Sequence, residues 1–522
     1  MSDTYEITEK DVALHNKNVV RPPTITLKAI GQYIISRPTT LFITKDEWND
    51  INWGDVVNPF KPLYHMNRHQ WNMFGLGLVA WTWDAFDYFI TSLNLHAISI
   101  QLNCSVEEIT WGMTLVLMFR SLGAVLGGVF ADAYSKKWAY IVIMILLSVL
   151  QIGTANVHSY GSFLAVKALF GIAMGSVYGV AMSTALDDAD KSARGVLSGL
   201  YQEGYALGNL LCVAFNRGIG FGTSKPYGGW RNMHYFSAGV PVLFIIWRFF
   251  SPETHAFQRI KEARKADTTT ASQKRKQFLS DFGNMLKKYW LITVFLVLCM
   301  SGMNFSSHGS QDMFPTLLTA QYGYSADRST VTNAVANLGA IFGGFMFGHL
   351  SNFFGRRLMI IVASILGGAC IYPWAFISGS GINAGAFWLQ AGVQGAWGVV
   401  PAYLMELCDP RFATLVAGTA YQLGNLCSSA SSTIEATISK NFPIYNPDGS
   451  FKVYDYGKTM AIFMGAVFAY NIVIFFLGPE YRHASLDVDR DREIDATEQY
   501  DYHDEARESG SIAESDRVEF KV

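Results

Sequence analysis

Asn304, His308, Gln311 and Asp312 stand at i, i+4, i+7 and i+8 in the run Asn304-Phe305-Ser306-Ser307-His308-Gly309-Ser310-Gln311-Asp312-Met313-Phe314-Pro315-Thr316. That spacing places all four on one face of an otherwise apolar helix, a stripe expected to face a wet cavity. An imidazole titrates near neutrality, so His308 with Asp312 has the chemistry of a group that senses or carries a proton. Other ionisable residues interrupt apolar runs: Asp84 and Asp87, three residues apart on one helix face, then Arg120 and Glu203. A charge at the centre of a bilayer costs roughly 2.5 to 3.5 kcal/mol on insertion scales, which marks such residues as functional candidates. An arginine in low dielectric binds a carboxylate through two parallel hydrogen bonds. We therefore expect Arg120 to anchor a carboxylate while His308 and Asp312 titrate as a coupled pair. Asp84, Asp87 and Glu203 are further proton candidates, and Glu203 has the alternative role of latching a gate. Gln202 and Gln422 have a plainer role available, tying helices together by hydrogen bonds, and Lys167 is expected to snorkel to the membrane interface.

The elements that must hold these groups are transmembrane helices. Half of the 522 residues are hydrophobic and 16% are charged, too few polar residues to cover a soluble globule of this size. Runs of about 20 apolar residues, the length that crosses hydrocarbon, fall at 71–99, 109–130, 139–158, 163–186, 195–216 and 233–250, and again at 289–313, 329–350, 358–378, 384–407, 413–438 and 459–477. Lys136, Lys137, Lys191, Arg194, Arg356, Arg357 and Arg411 fall in even-to-odd connections, which predicts cytoplasmic termini. Arg217, Lys225, Arg231, Lys440, Lys452 and Lys458 run against that pattern in the fifth and eleventh connections. With this orientation Asn103-Cys104-Ser105 is an external glycan acceptor motif. The six cysteines show no metal or disulfide spacing, no cofactor or metal is expected, and nothing points to nucleic acid. No nucleophile and base occur at recognisable spacing, so no enzyme is expected, and no cleavable leader is visible in the polar first seventy residues.

An internal repeat organises the chain. Gly128, Asp132, Ser135, Lys136 and Lys137 follow the second run, and Gly348, Asn352, Gly355, Arg356 and Arg357 follow the eighth, 220 residues on. The same offset aligns Tyr201-Gln202 with Tyr421-Gln422, Asp84 with Asn304 and Tyr88 with His308. Two six-helix halves in parallel repeat place a site at their interface near mid-membrane. Glycine in the motif permits close helix approach, and the charged residues can latch helix ends when one side is closed, with Asn352 leaving the charge latch incomplete in the second copy. The predicted organisation is a cytoplasmic region over 1–70, a first half over 71–250, a cytoplasmic linker over 251–288, a second half over 289–478 and a disordered acidic tail over 479–522.

The repeated motif, with Arg194-Gly195 and the segments Trp230-Arg231 and Pro252-Glu253-Thr254, resembles the major facilitator superfamily, which implies an all-α, twelve-helix membrane protein. The run from Asn304 to Thr316 resembles the motif N-x-x-S/T-H-x-S/T-Q-D-x-x-x-T of the fungal Jen-type lactate and carboxylate permeases, in the sialate:proton symporter branch. That resemblance implies a proton-coupled plasma-membrane importer of lactate, pyruvate, acetate or related acids; separately, one chain is expected to form the transport unit, without a cofactor. It also implies that Asn304, His308, Gln311 and Asp312 line the pathway, that Tyr201 and Gln422 bear on substrate selection, and that Arg120 matches a second-helix arginine. The rival expectations are a dicarboxylate carrier, which a second cation in the cavity would favour, and a nutrient sensor on the same scaffold, which short tails disfavour.

Overall fold

Side-chain caps start many of the helices. Asn67, Ser105 and Ser159 each accept from a backbone N–H three residues on, and the side chains of Gln70, Glu108 and Ser162 reach back to complete capping boxes. The computed structural model describes residues 26–49, 51–220, 229–265 and 271–481. Among these, twelve long rods carry the chain back and forth: α1 (Arg68–Leu93), α2 (Val106–Ala133), α3 (Lys136–Ala155), α4 (Tyr160–Gly175 and Val177–Leu186), α5 (Arg194–Gln202 and Gly204–Phe215), α6 (Gly229–Phe250), α7 (Ala271–Gln311), α8 (Ala326–Phe354), α9 (Arg356–Ala369 and Ile371–Ala375), α10 (Gly381–Leu407), α11 (Ala413–Ser428 and Ser431–Ser439) and α12 (Tyr456–Leu477). Seven of them, α2, α3, α4, α6, α7, α8 and α12, are long and apolar enough to cross a membrane on their own composition. Of the other five, α1 carries Asp84 and Asp87, α5, α9 and α11 are broken, and α10 is buried along nearly its whole length, so protein more than lipid surrounds it.

The repeat holds at the level of packing. In the first half α1 packs on α5 and α6, α2 on α4, and α3 on α6; in the second α7 packs on α11 and α12, α8 on α10, and α9 on α12. Between the halves, α2 meets α11, α4 meets α11, and α5 meets α8 and α10. These contacts gather at one end, where a Cβ on Gly199 would stand 2.4 Å from the Gly344 carbonyl and a Cβ on Gly128 2.5 Å from the Leu415 Cα. Only glycine lets the backbones approach this closely. The opposite end holds the exposed Gln311 and Asp312, so the halves form a V closed at the end of the motif loops.

The structure adds detail to the sequence reading in four places. The linker is largely helical, as His255–Lys265 and as the start of α7, which bends at Tyr289 where φ is −117° and ψ 23°. α1 stops at Leu93, and a separate helix Leu95–Leu102 follows Asn94, whose amide bonds the Ile90 carbonyl and Asn216 instead of solvent. Between α11 and α12 lies a two-stranded antiparallel hairpin, β1 (Pro443–Tyr445) with β2 (Phe451–Tyr454). The segment before α1 forms short helices at Leu27–Ser36, Lys45–Asn49 and Trp53–Val57 that seat on the second half, with Arg37 donating to the Gly478 carbonyl at 2.8 Å and His349 on the Val56 carbonyl. The expectations for residues 1–25, for Lys225, for 266–270 of the linker and for the acidic tail from 482 onward fall outside the described residues.

Candidate functional site

Between the closed end and the exposed Gln311 and Asp312 lies a layer of aromatic rings contributed by both halves. Trp81 of α1 stacks near Tyr201 of α5 and meets Tyr178 of α4 edge-on, while Tyr178 stacks on Tyr421 of α11 with centroids 3.8 Å apart. Trp397 of α10 closes the layer against Tyr421. Tyr201 is fully buried here, its hydroxyl donating to the Tyr178 carbonyl, and Gln422 is buried with its amide on the Gly175 carbonyl. Both positions therefore sit in the layer and the inter-half contact, not on an open cavity wall.

On the first-half side, Arg120 of α2 donates to Asp84 of α1 at 2.9 Å, with both side chains at most 3% exposed. The guanidinium lies 5.6 Å from the Tyr88 ring, a cation–π distance. Asp84 Oδ1 and Arg120 Nε are buried without hydrogen-bond partners among the described residues. Arg120 is thus not a bare cation in this conformation; a carboxylate of the protein itself holds it.

The α7 stripe faces this pair from the second half. His308 Nδ1 lies 3.1 Å from Asp312 and its Nε2 lies 3.3 Å from Asn425 of α11. Gln311 donates to Gln390 of α10 at 3.3 Å, and Gln390 in turn bonds Ser310. Asp312 is 37% exposed and His308 23%, so the pair borders the open end of the V. Asn304 lies deeper, buried, with its amide bonded back to the Met300 carbonyl. Asn425 and Gln390 escaped the sequence reading because neutral amides in apolar helices are common; Asn425 stands three residues after Gln422, the one signal available.

Asp87 points away from Arg120 into the first half. It accepts from Ser237 of α6, and Thr91, Gln151, Lys167 and His234 are buried in the same half, with His234 Nδ1 2.7 Å from Gln151. Lys167 does not snorkel. It is 2% exposed, donates to Thr91 at 2.8 Å, and its ammonium lies 5.0 Å from the Phe170 ring. Asp87, Tyr88, Thr91, Lys167 and Phe170 line one small recess, and buried polar partners there offset the desolvation that would otherwise drive the lysine outward. Glu435 of α11, buried with neither carboxylate oxygen partnered among the described residues, is a further ionisable group in an apolar run; scanning apolar runs for charges would have found it.

At the closed end the motif divides its work. Lys136 binds Asp187 at 2.5 Å within the first half, and Arg356 binds Glu406 at 2.9 Å within the second, 220 residues on. Lys137 donates to the carbonyls of Phe249 and Ser251 at the end of α6, and Arg357 to those of Phe475 and Phe476 at the end of α12. These cations cap helix C-termini within their own half. The bonds between halves come from other members: Asp132 accepts from the Leu415 N–H at the start of α11, and Asn352 donates to the Lys191 and Ser192 carbonyls just before α5. An amide can donate where a carboxylate cannot, so Asn352 makes a latch of opposite polarity. Gly348 lies against Gly195 and Gly199, and Arg194 reaches Glu406 across the interface at 3.3 Å.

The profile of the sugar (and other) transporter family matches residues 69–490. This chain belongs to that family. It is therefore a major facilitator transporter and not an enzyme. A carboxylic acid transporter protein homolog of Saccharomyces cerevisiae is 36% identical over 96% of this chain and 81% of its own length, in line with the fungal permease motif on α7. The sialic acid transporter NanX of Escherichia coli is 25% identical over 69% of this chain and 85% of its own, and a cis,cis-muconate transport protein of Acinetobacter baylyi is 22% identical over 69% and 86%. Among solved structures, the proton:xylose symporter XylE superposes with a TM-score of 0.63 at 15% identity, covering 80% of this chain and 98% of that one. The human organic anion transporter MFSD10 gives 0.58 at 13%, covering 79% and 100%. Both share the fold of this family member.

Proposed function

We propose that this transporter is a proton-coupled symporter that imports small monocarboxylates such as lactate, pyruvate and acetate. The buried Asp84–Arg120 ion pair carries the reading. A substrate carboxylate can take Arg120 by two parallel hydrogen bonds once Asp84 lets go, and a proton on Asp84 releases it by removing its charge. Substrate and proton then enter together, and the loaded site carries no more charge than the empty one. His308 and Asp312, at the mouth and bonded to each other, supply a second protonatable group on the opposite half, with Gln311, Asn304 and Tyr88 completing the polar walls. The identity with the yeast carboxylic acid transporter homolog supports the substrate class. The lysine and arginine bias supports a cytoplasmic closed end and cytoplasmic termini, with the open end of the V facing outward at the plasma membrane. The two halves then rock about the central site, one chain forming one transport unit.

The test is labelled lactate uptake into liposomes with and without an inward proton gradient. Asp84→Asn is expected to abolish gradient-driven accumulation while lactate exchange across the membrane continues, because a neutral amide leaves Arg120 permanently free. Loss of both, or of neither, in folded protein would overturn the coupling role of Asp84. Absence of uptake of any carboxylate by the wild type would overturn the substrate class.

A second reading, a dicarboxylate carrier, is favoured by Lys167, a second buried cation in a recess shared with Tyr88. Competition of lactate uptake by succinate, lost in Lys167→Met, would select it.

A further inference from the structure

Glu203 sits where α5 breaks between Gln202 and Gly204, and it is 7% exposed. Its carboxyl lies against α8 of the other half: a Cβ on Gly344 would stand 2.0 Å from Glu203 Oε1. That oxygen is buried with no hydrogen-bond partner among the described residues. Charged and titratable groups on the elements around it are engaged elsewhere. On α1, Asp84 is with Arg120 and Asp87 with Ser237; on α8, His349 is on the Val56 carbonyl; at the ends of α4 and α10, Asp187 is with Lys136 and Glu406 with Arg356 and Arg194. On α5 itself the neighbours are Tyr201, bonded to the Tyr178 carbonyl, and Tyr205, packed on Trp81.

We propose that Glu203 is a proton-binding site of the interface between the halves, occupied while the closed end is shut and emptied when it opens. An ionised carboxylate without a countercharge is not stable in a dry interface, whereas the neutral acid is tolerated at far lower cost. Parting α5 from α8 admits water to the group and lets it ionise. Closure therefore binds one proton. The sign follows by linkage: the closed arrangement is favoured at low pH, and above the ionisation range of the water-exposed group each pH unit shifts the balance about tenfold toward opening. The proton comes from, and returns to, the compartment this end opens onto, so Glu203 sets how readily the end opens and carries nothing across. If the cargo is an acid with its proton, as proposed above, import acidifies that compartment and holds the end shut.

Spin labels at Tyr134→Cys and Trp290→Cys, exposed positions in opposite halves near the closed end, would report its opening by distance measurement in a cysteine-free background, across pH and with no carboxylate present. The wild type is expected to pass from a short to a long distance as pH rises, and Glu203→Gln to stay short throughout, while Glu203→Asp keeps a pH response. A pH-independent distance in the wild type, or an unchanged response in Glu203→Gln, would overturn the proposal. Glu203→Met serves as the neutral variant should the glutamine form fail to fold. No substrate enters this measurement, so an error in the substrate class leaves its outcome intact, while failure of lactate transport alone leaves Glu203 unaffected.

Discussion

Arg120 in one half and His308 in the other each bond a side chain on a neighbouring helix, Asp84 and Asn425. Their types and their place in apolar runs marked them, since an uncompensated charge in a bilayer is costly. What the sequence did not disclose is that Asp84 already occupies Arg120 and that Asn425 reaches His308. Geometry at this site makes lysine a poor substitute for arginine, because a point charge that leaves its single bond to Asp84 cannot offer a substrate carboxylate two parallel hydrogen bonds. Arg120→Lys is expected to raise the KM for lactate by about tenfold or more while the protein stays folded, as measured by initial uptake rates alongside a melting curve. An unchanged KM would remove Arg120 from the substrate path.

Among the elements, α5 and α8 bear most directly on how the carrier works. Their approach rests on Gly199 against the Gly344 backbone and Gly195 against Gly348, contacts with no room for a side chain. Gly199→Leu is expected to part the two helices, with an overpacking cost of about 1 to 3 kcal/mol falling on the closed arrangement alone. A labelled cysteine placed at the closed end should become accessible in that variant and remain protected in the wild type; equal protection in both would refute the role of the glycine contact. The repeated glycines predicted close packing from sequence, yet the division of the motif did not follow from it. Lys136, Lys137 and Arg357 tie helix ends within a half, whereas Asp132 and Asn352 cross between halves. Charge type alone does not say which of several nearby helix ends a long side chain will reach.

For the whole molecule, the closed end is one conformation of a two-state carrier, and its inter-half bonds are the part that must break. Asn352 on one half and Ser192 on the other are in contact there. Oxidising the double variant Ser192→Cys, Asn352→Cys is therefore expected to stop uptake almost completely, with recovery on reduction; transport that continues through a formed disulfide would show that this end need not open. The 220-residue offset, the alternation of apolar runs and the polar stripe on α7 were all present in the sequence, and they determined the twelve-helix, two-half architecture and most of the candidate groups. They could do so because hydrocarbon imposes helix length, polarity and spacing locally. Tertiary structure alone decided the rest: that Lys167 is buried and not at the interface, that Asp84 and Arg120 neutralise each other, that Tyr201 belongs to an aromatic layer, and that Glu203 turns a buried, unpartnered carboxylate oxygen toward the other half. Those facts depend on which helix faces meet across distances of tens to hundreds of residues, and a pattern read along one helix carries no information about the face opposite.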